Sequence, residues 1–343
     1  TLSGGEVTTL STVTTITAAV DVTPVADAPT PLVANFTTEE DTLVPLTGLG
    51  GTLTDADSSE SLSYRIEGVP SGVTFSGGTN TAPGVWSFTA AELAALSLTP
   101  PNNWHGTLNL TLVAISTESA NGDAAESSAP FTVTVGAQAD VPSLTPGSST
   151  VNEDTSVNID SQISYVPTDT DGSEHVSQVQ VSGIPAGAAP AYTPSGTASV
   201  NFNALTGVLT ITSSSLDPVQ AENDIRATLD TLSLTPPLHS GNDIPLTVAV
   251  TVRDADGSTA TQTGTHTVDV VPVADAPTVP AGSTPVNEDT ATVFGTNITY
   301  NLVDADGSES VTSVTVTGFP GGSTVAYTAG GATVTAVAGG YEI

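Results

Sequence analysis

Alternation at period two is the strongest pattern along the chain. Leu108, Leu110 and Leu112 are separated by Asn109 and Thr111, and Leu246, Val248, Val250 and Val252 follow the same scheme. Phe131, Val133 and Val135 do so again. Successive side chains of a strand point to opposite faces, so this spacing predicts strands buried on one side and wet on the other. Short Thr-, Val- and Ser-rich stretches punctuated by Gly and Pro predict an antiparallel sandwich of about seven strands. Helical spacing surfaces twice. Thr89-Ala-Ala-Glu92 has the form of a capping box and predicts a single turn through Leu96. Asp217-Pro218 opens a longer segment with Ile225, Leu229 and Leu232 on one face. Both would be crossover helices between strands.

The strand pattern repeats along the chain. Val25-Ala-Asp-Ala-Pro29 recurs as Gln138-Ala-Asp-Val-Pro142 and Val273-Ala-Asp-Ala-Pro277. Thirteen residues after each junction aspartate (Asp27, Asp140, Asp275) comes Glu-Asp-Thr, starting at Glu40, Glu153 and Glu288. An acidic turn follows: Asp55-Ala-Asp-Ser-Ser-Glu60, Asp169-Thr-Asp-Gly-Ser-Glu174 and Asp304-Ala-Asp-Gly-Ser-Glu309. Gly-x-Pro comes next, at 68–70, 183–185 and 318–320, and Leu-Ser-Leu-Thr-Pro-Pro closes the series at 96–101 and 232–237. Landmarks in a fixed order define a tandem repeat. The expected units are 27–139 and 140–274. Residues 1–26 are expected to be the C-terminal strands of a preceding repeat, and 275–343 the N-terminal half of a further one. The junctions are short and carry a proline, which suits a semi-rigid chain.

Charge sharpens this reading. The chain has 36 acidic residues against 3 basic ones, a formal net charge of -33, with no lysine. Such a surface repels phosphate backbones and anionic lipid, so nucleic acid is excluded as a partner. No apolar run approaches the ~20 residues of a membrane helix, so membrane insertion is not expected. Cysteine is absent, which removes disulfides and thiolate metal sites.

The acids recur at fixed offsets beside each junction, which points to bound cations. Calcium takes about six to eight oxygen ligands from carboxylates and carbonyls of loops. Alternate residues of an extended segment face the same way, so an Asp-x-Asp turn presents two carboxylates together. With strands alternating up and down, Glu40 would approach Asp140, Asp169 and Asp171, and the last hairpin would add Asp254 and Asp256. One repeat along, the set becomes Glu153, Asp275, Asp304 and Asp306. The first junction offers Asp27, Asp55 and Asp57, but its hairpin reads Glu118-Ser-Ala-Asn-Gly-Asp123, so it is expected to bind least tightly. Two plainer readings compete: Asp-x-Asp-Gly-Ser is also a turn-former, and a uniformly acidic surface occurs in salt-adapted proteins.

Together Val-Ala-Asp-Ala-Pro, Asn287-Glu-Asp-Thr290, Asp304-Ala-Asp-Gly-Ser-Glu309 and Leu-Ser-Leu-Thr-Pro-Pro resemble the extender repeats of giant bacterial adhesins of the RTX type, exported by type I secretion. Those repeats are immunoglobulin-like, also described as cadherin-like or VCBS-like. The resemblance implies an all-β chain of tandem β-sandwiches, extracellular Ca2+ held by the acidic positions named above, and location at the cell surface or in the secreted fraction. It implies neighbouring repeats as partners, with other copies or a host or abiotic surface reached through domains outside this chain. The first acidic turn departs from the pattern, with Asp57-Ser-Ser where the others have Asp-Gly-Ser.

Catalytic patterns are missing. His105, His175, His239 and His266 show no ligand spacing and read as surface or turn residues. No Gly-x-Ser-x-Gly elbow accompanies an acid and a histidine. A carboxylate pair for glycoside hydrolysis should occur once, in a cleft, and not in every repeat. Trp86 and Trp104 are expected in or near the first core. The expected function is an extender segment of a surface adhesin and not an enzyme. The rivals are a protomer segment of a filament, sheath or surface layer, and a carbohydrate- or cell-binding module.

Overall fold

The computed structural model describes residues 16–17, 19–55, 58–169, 171–293, 295, 298–304, 306–328 and 330–343. Most of the expected strand at the chain's start, and Asp57 among the expected ligands, lie outside the described residues. The chain divides between Ala137 and Gln138 into two units.

In the first unit the alternating segments form a six-stranded sheet in the order Phe36–Glu39, Ala124–Gly136, Gly106–Glu118, Glu60–Glu67, Val85–Thr89, Thr79–Ala82. A three-stranded sheet of Val44–Pro45, Ser97–Thr99 and Thr74–Phe75 makes a second layer. The inward positions fill the space between them: Leu98, Leu108, Leu110, Leu112, Phe131 and Val133 are all buried. Trp86 and Trp104 pack against the edge of this core, half-buried, as their positions predicted. Thr89 caps Ala90–Ala94 with the full capping box, its hydroxyl accepting from the Glu92 N–H while the Glu92 carboxylate accepts from the Thr89 N–H.

The second unit repeats this plan strand for strand. Its six-stranded sheet runs Ser148–Asn152, Thr259–Val271, Ile244–Arg253, His175–Ser182, Val208–Ser213, Ala198–Asn203, with Val157–Asn158, Ser233–Thr235 and Ala189–Ala191 as the second layer. The helix Pro218–Leu229 has Asp217 as N-cap, and it buries Ile225 and Leu229, with Leu232 following, against that core. Residues 275–343 add a three-stranded sheet of Thr315–Thr317, Gly340–Glu342 and Thr335–Val337. The molecule is all-β, built of tandem β-sandwiches.

One pairing departs from a purely antiparallel sandwich. Phe36–Glu39 lies parallel to Ala124–Gly136, and Ser148–Asn152 lies parallel to Thr259–Val271. The entering segment splits: Thr30–Leu32 pairs with Gly50–Thr52, and the chain then crosses to the edge of the large sheet. A period-two pattern is the same for either strand direction, so alternation alone cannot reveal this pairing.

The Gly-x-Pro landmark has a backbone cause. Gly68, Gly183 and Gly318 all have φ between 80° and 88°. A Cβ on Gly183 would sit 2.8 Å from the Pro245 carbonyl oxygen. Gly183→Ala is therefore expected to destabilise the second unit by about 2 kcal/mol or more, combining a left-handed backbone penalty of ~1–2 kcal/mol with the clash. Urea unfolding checks this; an unchanged midpoint would show that the turn relaxes freely.

Candidate metal sites

At each junction the acidic turn folds back onto its own entering strand. The Glu60 carboxylate accepts from the Asp27 N–H (2.7 Å), Glu174 from the Asp140 N–H (2.8 Å), and Glu309 from the Asp275 N–H. Glu174 uses its second oxygen for the Thr168 N–H (2.9 Å), and Glu309 does the same for Asp304 (3.5 Å). Glu60 and Glu174 are buried, and burial raises the Glu174 pKa, opposed by these N–H donors. These three glutamates are the sixth residue of every acidic turn, a position to which the sequence pattern assigns no ligand role.

Around the Asp140 junction the second unit gathers Asp140, Asp169, Glu174 and Asp254. Burial pushes the Asp169 carboxyl up to about 6; Ser173 donates to it at 3.1 Å and opposes the shift, while Glu174, Asp254 and Asp140 add repulsion. Asp254 is itself buried. Asp171 and Asp256 are exposed, and each uses one oxygen to accept the N–H two residues on, from Ser173 (3.0 Å) and Ser258 (2.7 Å). Here the turn-forming role of Asp-x-Asp-Gly-Ser is realised at its second aspartate. Ser258 also reaches the junction, its hydroxyl oxygen accepting from the Ala139 N–H at 2.7 Å.

The Asp275 junction is built alike. Ser308 donates to Asp304 Oδ2 (2.9 Å), and the Ser308 N–H to Asp306 Oδ1 (2.9 Å). Asp306 Oδ2 accepts from the Gly241 N–H (2.7 Å). Glu153, buried, accepts from the Val273 N–H. At the first junction Asp27 is exposed and Asp55 half-buried. The variant hairpin contributes Asp123, which accepts from the Ala26 N–H (3.0 Å), and Asn121, which donates to the Pro24 carbonyl (2.7 Å). Glu40 is buried in the first unit, its N–H donating to the Gly136 carbonyl at 2.9 Å.

These carboxylates fit a hard cation by one direct criterion. Buried polar atoms are normally hydrogen-bonded. Yet Glu60 Oε2, Glu118 Oε2, Glu153 Oε2, Asp169 Oδ1, Asp254 Oδ2 and Asp304 Oδ1 are buried with no hydrogen-bond partner among the described residues. They are anionic oxygens beside the junctions, in a chain with almost no basic side chains to neutralise them.

Two histidines depart from the expected surface or turn role, and a third keeps its turn but gains acidic partners. His266 is buried in its strand; its Nδ1–H donates to the Pro146 carbonyl (2.6 Å), leaving Nε2 to accept from Ser149 Oγ (3.0 Å). His175 sits 3.4 Å from Glu222, which also holds Arg226. His239 lies between Asp275 (2.8 Å) and Asp154 (3.1 Å), and its pKa is raised chiefly by the Asp275 contact. None of these contacts is local in sequence, so no spacing announces them.

A further acidic pair lies in the second unit away from the junctions. Burial pushes Asp160 up to about 7, with its hydrogen bond to Asp230 and the repulsion of that carboxylate adding to the shift, and Arg226 opposing it. A folded-state pKa above the unfolded one means that the folded protein takes up a proton the unfolded chain does not, so stability is lost as pH rises through 7. In chelator, the urea midpoint is therefore expected to rise on going from about pH 8 to about pH 5.5. A fall over that window would contradict the paired-carboxyl arrangement.

Fold and acidic clasps together define a class: tandem β-sandwich repeats with carboxylate-lined junctions. No protein-family model matches the chain, and no curated protein matches it. Among solved structures it is similar to human mucin-like protocadherin EC1-2, at 16% identity over 72% of this chain and 100% of that one, with a TM-score of 0.33. It is also similar to extracellular cadherin domains 3-6 of protocadherin gamma B2 (14% identity, 76% of this chain, 54% of that one, TM-score 0.32). A third is the C-terminal domain of the AgI/II polypeptide BspA of Streptococcus agalactiae (8% identity, 69% and 99%, TM-score 0.24). Among the described residues no helix is long and apolar enough to cross a membrane.

Proposed function

We propose that the chain is a calcium-rigidified extender segment of an extracellular bacterial surface adhesin, a spacer with no catalytic role. The observation that supports this reading most is the set of buried carboxylate oxygens without hydrogen-bond partners, recurring at each junction. A catalytic group would be expected once, whereas this arrangement returns with every repeat. Calcium would be held by Asp140, Asp169 and Asp254 at one junction and by Glu153, Asp275 and Asp304 at the next, with Asp171, Asp256 and Asp306 completing the sets from the second aspartate of each turn. Glu40 is the repeat counterpart of Glu153. Asp27, Asp55 and Glu60, with Asp123, would form the weakest site. The ion supplies positive charge that lets these carboxylates approach; the protein supplies the clasp that orients them.

Small-angle scattering tests the reading. In calcium at about 1–10 mM, at or above the roughly 0.1–1 mM dissociation constants of extracellular calcium modules, the chain should scatter as a stiffer particle than in chelator. Superimposable profiles would remove the rigidifying role.

A further inference from the structure

We propose that Asp154, His239 and Asp275 form a site for a borderline divalent transition ion, with zinc the best match, distinct in chemistry from the calcium carboxylates beside it. His239 Nδ1, Asp154 Oδ2 and Asp275 Oδ2 lie within 4.8 Å of one another. The Nδ1 atom is 3.1 Å from Asp154 Oδ2 and 2.8 Å from Asp275 Oδ2. Ligands about 2.1 Å from a tetrahedral zinc are about 3.4 Å apart, so shifts of about 0.3–0.6 Å would place these atoms on one ion. The residues are one-third exposed, which leaves room for water to complete the coordination.

The repeat supplies an internal control. Asp154 Oδ1 accepts from the His239 N–H (2.8 Å), and in the first unit Asp41 Oδ1 accepts from the Asn103 N–H (3.0 Å). All four residues have positive φ, between 51° and 59°. Asn103 therefore makes the same backbone staple without an imidazole. An imidazole adds nothing to this staple, but it adds a nitrogen ligand, and nitrogen suits zinc, copper or nickel where calcium favours oxygen alone. Next to the cluster, Glu153 is 3% exposed and keeps Oε2 without a hydrogen-bond partner among the described residues. Glu153 is the chain neighbour of Asp154.

The test is a zinc chloride titration of the whole chain in excess magnesium, which occupies loosely clustered carboxylates. Calorimetry and the histidine ring resonances are followed together. A single equivalent of zinc should bind and shift the His239 ring signals. His239→Asn, which restores the residue of the first repeat and keeps the backbone staple, should weaken that binding by at least about tenfold, the low end of what even outer-sphere changes cost. Zinc uptake unchanged in His239→Asn, or ring signals that do not move, would overturn the site and leave a histidine–aspartate ion pair. The site shares Asp275 with the calcium set but does not depend on calcium being bound. Zinc binding without any calcium binding would sink the calcium reading alone, and calcium binding without zinc would sink this one alone.

Discussion

Thermal unfolding of the metal-free chain is expected to shift upward by about 5–10 °C when calcium is added at about a hundredfold excess over its dissociation constant. A ligand that binds only the folded state at that excess contributes about 2.7 kcal/mol per site. For a body of about 150–250 residues, each kcal/mol moves the midpoint by about 2–4 °C. Calcium would meet carboxylates that repel one another, Asp140, Asp169, Glu174 and Asp254, with Asp169 pushed up to about 6 chiefly by burial. Sodium chloride at matched ionic strength is the control, since simple screening would relieve part of the repulsion. A shift below about 1 °C, or an equal one with sodium, would show that the clusters are solvated turns.

Glu174→Ala is expected to cost about 2–4 kcal/mol, the larger of the two effects per group changed. Both Glu174 oxygens accept backbone N–H groups, from Asp140 and Thr168, so truncation strands two partly buried donors at about 1–3 kcal/mol each. The loss should appear in calcium and in chelator alike, because the clasp is a backbone hydrogen bond before it is anything else. Glu67→Ala, at a half-exposed ion pair with Arg65, should change stability by no more than about 1 kcal/mol in the same assay. Equal midpoints for the two variants would mean that the entering strand is not held by Glu174. The largest calcium effect and the largest mutational effect thus fall on the same few residues for different reasons.

What could be read from the chain beforehand were features whose cause is local. Gly68, Gly183 and Gly318 mark a backbone that only glycine adopts without strain, and Thr89 with Glu92 marks a helix start within four residues. The Asp of each Glu-Asp-Thr sits at φ 54–59° in all three copies, which explains why that landmark keeps its form. The clasp bonds span 33 or 34 residues, and no periodicity reports a carboxylate meeting an amide so far away. A positional comparison of the three acidic turns would have found Glu60, Glu174 and Glu309, since their identity is unchanged where the turn itself varies from Asp-Gly-Ser to Asp-Ser-Ser. The histidines show the same limit. His239 and His266 carry no spacing signal, yet one joins an acidic cluster and the other is sealed in a core.

The clasp also bears on how such a chain can change length over generations. Glu174 grips the Asp140 N–H, and Glu153 grips the Val273 N–H, so both bonds begin and end between one junction aspartate and the next. A stretch of DNA copied or lost from one junction to the following one would carry donors and acceptors together. Neither duplication nor deletion of that stretch leaves a clasp glutamate without its amide. The fold therefore permits unequal recombination between neighbouring copies to lengthen or shorten the array, with no compensating substitution in these contacts.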